Sequence, residues 1–463
     1  MTRPIPDSRS LRRESSAPPP GVGVMLFGMV GVTLIGLAGC AGDGSPSEAP
    51  AGGDGGPGDG DVPTYHPTIE ALVAEHCGDC HVDGGIGPFP LDDYAALEPV
   101  AELALGSIEI GRMPPWQPDP DCRTFEGENI LDDAEKALFR AWVDGGKPLG
   151  DPADAIVEAP PPPAFEATHE ATITGGEGYL PDPANPDDYR CFALDIDLPE
   201  EAFLLGSQVV PDLGPYVHHV LVYAVDGALA DDLEAEDAGD PGPGYTCFGG
   251  PLPSGAGRGL PNQIGAWVPG RDDGDLPAGQ GIRIDAGSRI VVQVHYNQSA
   301  GPPPRGDDTA FRMKLASAAP ETLIRTMPQA ILNIPIPAGD PAVTHSRSIR
   351  NRSPNPIVIH GVAAHMHLLG TSFEVVHERA DGDDRCLLSI PEWDFDWQGA
   401  YRLPPGDDVV VAPGDSLRLT CRYDNSMENQ PIVNGEQQPP RDVRWGEGTY
   451  DEMCLLYLTV EDR

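Results

Sequence analysis

From about residue 165 onward the chain breaks into short apolar or alternating runs. Phe192–Ile196, Phe203–Val210, Val217–Val225, Arg289–Tyr296, Phe311–Leu315, Phe373–Val376, Val409–Val411, Ser416–Tyr423 and Leu455–Val460 are the clearest. Gly, Pro, Asp and Asn separate them, drawn from 56 Gly and 53 Pro in all. Side chains alternate along an extended strand, so such runs bury one face and turn back at the breakers. The pattern predicts antiparallel β sandwiches in two domains, 165–320 and 321–463, with a seam near 318–335 and no helix of weight. The 463 residues leave room for about one further domain. A formal net charge of -44 repels polyanions, which excludes nucleic acid as a partner and leaves a well-solvated acidic surface.

Arg12 and Arg13 precede an apolar run, Val22 to Leu37, that closes in Leu37-Ala38-Gly39-Cys40. Basic start, apolar core and small residues before a cut describe a secretory signal over residues 1–39. The ending resembles a bacterial lipobox, which implies cleavage before Cys40, a lipid on its sulfur and a place at the bacterial cell envelope. An uncleaved anchor is the other reading. Residues 40–62 are Ala, Gly, Asp, Ser and Pro, a flexible tether. In an exported chain disulfides and covalent haem are both feasible.

The segment 63–152 has helical spacing at Ile69, Leu72 and Val73, then Cys77-Gly78-Asp79-Cys80-His81. Cys-x-x-Cys-His is the haem c attachment pattern: two thiols take the vinyl groups and the adjacent imidazole takes one axial position on iron. A zinc site would need a second ligand pair in the segment, and none is present. Met113, in Gly111-Arg112-Met113-Pro114-Pro115-Trp116, is the candidate sixth ligand, with a structural role as its alternative. His66 and His76 are rivals. Leu131–Val143 is amphipathic and ends at Gly145-Gly146, a second helix. The whole resembles a small class of bacterial cytochrome c domains. A stiff Pro-rich spacer, 153–164, follows.

Histidines then cluster. His365 and His367 sit two apart, on one face if the segment is a strand, and form a half-site for a borderline or soft metal. Two partly buried strand histidines is the plainer reading. His218 and His219 are adjacent, so both reach one ion only where the strand bulges or ends. His295 would complete three imidazoles, and Met453 offers a thioether to His365 and His367. Two imidazoles with a thioether suit copper that cycles through Cu(I).

Together, Tyr189-Arg190-Cys191, Val217-His218-His219-Val220, Gln293-Val294-His295-Tyr296, His365-Met366-His367-Leu368-Leu369-Gly370 and Glu452-Met453-Cys454-x-x-Tyr457 resemble the type II copper, ascorbate-dependent monooxygenases. Peptidylglycine α-hydroxylating and dopamine β-hydroxylating enzymes belong to that family. The resemblance implies two jelly-roll-like β sandwiches facing an open, solvent-filled cleft, each with one copper. His218, His219 and His295 would hold the electron-transferring ion. His365, His367 and Met453 would hold the ion where O2 and a small-molecule or peptide substrate meet, and Tyr457 would face that substrate. Ascorbate or a periplasmic donor would supply electrons, and the order of parts implies delivery from the haem to the first copper. The family pattern also pairs Cys421 with Cys454, leaving Cys122, Cys191, Cys247 and Cys386 with three possible pairings. Ala363 stands where the peptide-hydroxylating members carry a carboxylate-binding Arg, and Leu455 where they carry Asn, so a C-terminal glycine peptide does not fit. Trp393-Asp394-Phe395-Asp396-Trp397-Gln398 and Tyr401 resemble a signature of bacterial relatives with no role assigned. The reading is a mainly β chain: two copper domains behind a small α-helical cytochrome c domain, carrying two copper ions and one haem c. A non-catalytic surface redox or copper-binding lipoprotein is the competing class.

Overall fold

The computed structural model describes residues 62–82, 87–156, 164–183, 187–247, 250–253, 261–268, 274–298, 301–433, 436–446 and 448–462. The signal, Cys40, nearly all of the tether and the proline run of the spacer lie outside them.

Four of the α-helices lie in the first segment: Glu70–His76, Tyr94–Leu97, Ala101–Glu109 and Asp133–Asp144. The last starts at a capping box. Asp132 Oδ1 accepts from the Glu135 N–H at 2.8 Å, and the Asp132 N–H donates to Glu135 Oε2 at 2.7 Å, satisfying two donors a helix start leaves orphaned. Its apolar face carries Phe139 and Trp142 into a small core with Tyr65, Ile69, Leu97 and Leu131. A fifth helix, Ala230–Gly239, interrupts the β region, where the sequence reading expected no helix of weight. Its charged stretch shows little apolar periodicity; Leu233 anchors it in a buried cluster with Cys191, Cys247 and Tyr245.

Among the described residues, the β region is built from three main sheets. A five-stranded sheet runs Tyr245–Thr246, Asp187–Ala193, Arg289–Asn297, Val217–Val225, Asn262–Trp267. A four-stranded sheet runs Val343–Arg350, Ser416–Tyr423, Gly370–Glu378, Arg385–Ile390. Behind both lies a nine-stranded sheet, in order His169–Thr172, Ala310–Ala316, Ala202–Val210, Gln280–Ile284, Thr322–Ala330, Leu455–Glu461, Ile357–His365 and Ala400–Arg402, with Val409–Val411 also paired to Ile357–His365. One core holds Val220, Val292 and Val294 with Phe311 and Leu204; the other holds Phe373 and Leu419 with Leu456 and Val362. Each of Phe311 and Phe373, wholly buried, contributes about 1.5–3 kcal/mol by leaving water.

The expected seam at 318–335 is not a gap between two separate sandwiches. Thr322–Ala330 occupies it as a strand, parallel to Gln280–Ile284 on one side and antiparallel to Leu455–Glu461 on the other. A strand there pairs its backbone on both edges, which an isolated edge strand cannot do. The alternation signal missed it because Thr322-Leu323-Ile324-Arg325-Thr326-Met327-Pro328 carries few apolar residues and a proline.

Three disulfides close the β region: Cys122–Cys386, Cys191–Cys247 and Cys421–Cys454. The first joins the helical segment to the C-terminal half. Around it, residues 114–126 leave the helical core. Phe125 joins the C-terminal core and Trp116 packs against it. Both rings meet Tyr401, at 5.4 and 5.5 Å between centroids.

Candidate metal centres

The first cluster lies on the five-stranded sheet. His295 is in the central strand Arg289–Asn297, with Tyr189 opposite it on one neighbour and His219 opposite on the other. The ladder between Val217–Val225 and Arg289–Asn297 slips between Val217 and His219. That irregularity lets the adjacent His218 and His219 turn toward one point. His218 Nδ1 and His219 Nδ1 are 3.3 Å apart, and His219 Nδ1 and His295 Nδ1 are 3.4 Å apart. All three donor atoms lie within 4.8 Å of one another.

Two neighbours that sequence reasoning gave no role orient His295. Its Nε2–H donates to Asp187 Oδ1 at 2.9 Å, and the Tyr189 ring stacks on it at 4.1 Å. With the proton on Nε2, the Nδ1 lone pair faces the cluster. Burial pushes the Asp187 carboxyl up, but the hydrogen bond and charge of His295 outweigh it and hold it below its ordinary value. Burial, then the charge of His295, lowers His218 to about 4, and His219 is held low by the same causes. His218 and His219 are therefore neutral at pH 7.

The second cluster forms where strand Ile357–His365 ends. His365 is the last strand residue and His367 lies just beyond it, before strand Gly370–Glu378. The pair thus straddles a strand end, where a single extended strand was the simplest expectation. Met366 between them is buried in the C-terminal core. His365 Nε2 and His367 Nε2 stand 3.2 Å apart. His365 Nδ1 meets Gln398 Oε1 at 2.5 Å, and the Gln398 amide is itself oriented by Nε2–H donation to Phe395 O at 3.0 Å. His367 Nδ1 meets Asp451 O at 3.1 Å. Both Nδ1 atoms face acceptors and so carry the protons. Two unprotonated Nε2 lone pairs then point at each other, an arrangement that repels unless a cation sits between them. Burial lowers His365 and takes His367 to about 3.

Met453 is buried beside Glu452. The Glu452 carboxylate accepts from the backbone N–H groups of His367 at 2.9 Å, Leu369 at 2.7 Å and Met453 at 3.3 Å. One buried side chain thus ties the ligand turn to the Met453 segment. Burial raises Glu452 to about 8. Tyr457 is half-buried and lies opposite Ala363 across the strand pair. The two clusters do not face each other across open solvent alone. The Phe395 ring stacks on His218 at 5.3 Å and meets His367 edge-on at 6.1 Å.

In the helical segment Cys77 and Cys80 are free thiols. His81 Nδ1 donates to Phe89 O at 2.9 Å, which leaves Nε2 available. A Cβ on Gly87 would come within 2.7 Å of the His81 ring, so Gly87 packs against the imidazole only without a side chain. Both ring nitrogens of His76 have partners, Asn129 Oδ1 at 2.7 Å and Glu135 Oε1 at 3.2 Å. His66 Nδ1 meets Glu70 at 2.9 Å. Met113 is half-buried at the start of the stretch that leaves for the C-terminal half.

Residues 346–460 match the family described as copper type II ascorbate-dependent monooxygenase, C-terminal domain. DBH-like monooxygenase protein 1 of Homo sapiens is 22% identical over 262 residues, covering 53% of this chain and 39% of that protein. MOXD1 homolog 1 of Drosophila melanogaster is 22% identical over 213 residues, 42% of this chain and 28% of that protein. The match therefore spans well under half the length of these relatives. Among solved structures, the major capsid protein P2 from Bacteriophage PM2 aligns over 64% of this chain and 98% of that chain at 12% identity, with a TM-score of 0.26, too low to bear on the fold. Residues 346–460 are thus similar to the C-terminal domain of the copper type II ascorbate-dependent monooxygenases, and the relatives that match over about half of the chain are DBH-like monooxygenases.

Proposed function

We propose that this chain is an exported copper-dependent monooxygenase that hydroxylates a C–H bond with O2, with electrons from ascorbate or through a fused haem c. One observation carries the reading: His218, His219 and His295 in one cluster, and His365 and His367 in the other, each bring a ring nitrogen within 3.4 Å of a neighbour's, with the opposite ring nitrogen of His295, His365 and His367 held by a fixed acceptor. That donor chemistry fits copper. The two paired-sheet halves, 165–320 and 321–463, are read as the two jelly-roll-like copper domains, and 63–152 as the cytochrome c domain.

His218, His219 and His295 hold one copper and His365, His367 and Met453 the other. When bound, copper supplies one stored electron per site and a place for O2 to be reduced. The chain's own residues do the rest. Burial disfavours protonation of His218, His219, His365 and His367, which lessens proton competition for the metal near pH 7. Glu452 holds the His367 and Met453 backbones at one spacing. Phe395 places an apolar ring against both clusters, which limits water there. Tyr457 and the small Ala363 mark where substrate would lie, in a pocket without the carboxylate-binding Arg. Cys77, Cys80 and His81 would hold the haem, with Met113 the candidate for its remaining ligand position, and the haem would supply a one-electron carrier. Three disulfides fit an oxidising compartment, and the lipid on Cys40 would anchor the protein at the cell envelope.

The test loads the mature protein with copper, adds ascorbate and 18O2 with a panel of C–H substrates, and looks for oxygen-18 in a product by mass spectrometry. Two coppers per chain and labelled product are expected, with haem that stays on the protein through acid–acetone extraction. A copper count near zero refutes the metal sites; two coppers without labelled product favours the non-catalytic copper-binding lipoprotein; extractable haem refutes the attachment.

A further inference from the structure

The turn Asp394–Gln398 touches the stretch that leaves the helical segment and both histidine clusters. Gln117, in the stretch leaving the helical segment, donates from Nε2 to Asp394 O at 2.7 Å and to Trp397 O at 2.8 Å. In sequence that contact lies between the Trp116–Tyr401 ring pair and the Cys122–Cys386 disulfide, which tether the stretch carrying Gln117 on either side. Inside the turn, Gln398 grips His365 and Phe395 reaches His218 and His367. Five residues thus join a docked segment to both histidine clusters.

We propose that the turn Asp394–Gln398 is a positioning element that passes the docking of the 114–126 stretch to the metal ligands. Gln117 anchors the turn, Gln398 fixes the ring and tautomer of His365, and Phe395 spaces the two clusters. The inference rests on copper occupying those clusters. Its physical basis is that a ligating imidazole is oriented by the acceptor on its other nitrogen. Here that acceptor belongs to a turn whose backbone carbonyls are held from another segment. Removing the anchor frees the turn, and the acceptor moves with it.

The experiment uses the full copper-loaded chain, with Cu(II) read by electron paramagnetic resonance and affinity by titration against a chelator. Gln398→Leu should weaken the His365/His367 site about 10- to 100-fold and change its copper hyperfine splitting. Gln398→Glu keeps an acceptor oxygen for His365 and should restore most of both. Gln117→Glu has the same shape but no N–H donors; it should shift the same signal in the same direction, by less. Equal effects of Leu and Glu at 398 would make Gln398 a packing residue and overturn the proposal. A wild-type second-site signal in Gln117→Glu would overturn the coupling even if Gln398→Leu fails to fold. Wild-type protein that takes up no copper would instead overturn the metal-site reading, and the coupling with it.

Discussion

Replacing Asp187 tests whether the first cluster is built as a metal site. In the structure the His295 Nε2–H donates to Asp187 Oδ1 at 2.9 Å, and the two side chains are 2% and 17% exposed. The pair is therefore largely shielded from water, and a hydrogen bond to an ionised group in such a place contributes about 1.5–3 kcal/mol. Only part of that is specific to metal binding, because the bond also exists without metal. What copper gains is a ring whose Nδ1 lone pair is already free and aimed. Second-sphere partners of this kind carry about 10- to 100-fold in metal affinity, which is about 1.4–2.7 kcal/mol. Asp187→Ala should lose that amount at the His218/His219/His295 site. Asp187→Asn should fall between it and wild type, since an amide oxygen still accepts but carries no charge. Chelator competition followed by electron paramagnetic resonance separates this site from the His365/His367 site, which serves as the internal control. If Asp187→Ala binds first-site copper as tightly as wild type with the same spectrum, the carboxylate does not set the ligand, and stacking on Tyr189 alone orients His295.

Met453→Ile should spare one copper at His218, His219 and His295 while crippling hydroxylation, because a thioether favours Cu(I); full turnover with unchanged Cu(I) coordination by X-ray absorption would remove Met453 from the site. Above about pH 8, where Glu452 is ionised, Glu452→Gln replaces one acceptor oxygen with a donor and orphans at least one buried N–H among His367, Leu369 and Met453. The expected loss is about 1–3 kcal/mol of unfolding free energy, read by denaturant titration, and unchanged stability would show that water or a backbone shift satisfies the donor. The Cys122→Ser/Cys386→Ser double variant removes a bridge of 264-residue separation and should destabilise the chain by about 2–4 kcal/mol; an unchanged thermal midpoint would mean the Phe125 and Trp116 packing suffices. Asp132→Ala breaks the capping box of helix Asp133–Asp144 and should cost about 1 kcal/mol, visible as a lower midpoint of unfolding.

Local chemistry made much of this protein readable in advance. Strands Val217–Val225, Val409–Val411 and Ser416–Tyr423 stand where alternation placed them, because a half-buried strand must alternate whatever it pairs with. Helix Asp133–Asp144 announced itself by its cap and its apolar stripe. The demand that adjacent His218 and His219 need an irregular strand to share one point follows from the two-residue period, and the ladder slips there. Other features could not be read from neighbouring residues. Asp187 and Tyr189 flank His295 only because strand Asp187–Ala193 pairs with Arg289–Asn297 in one register, more than a hundred residues away in sequence. Gln398 becomes the partner of His365 through a turn that no periodicity describes. The strand through the expected seam and the pairings Cys122–Cys386 and Cys191–Cys247 are likewise long-range choices. Residue type fixes what a side chain can donate, accept or bury over a few neighbours. Which distant group meets it is decided by strand pairing and core packing, whose energies are summed over the whole fold.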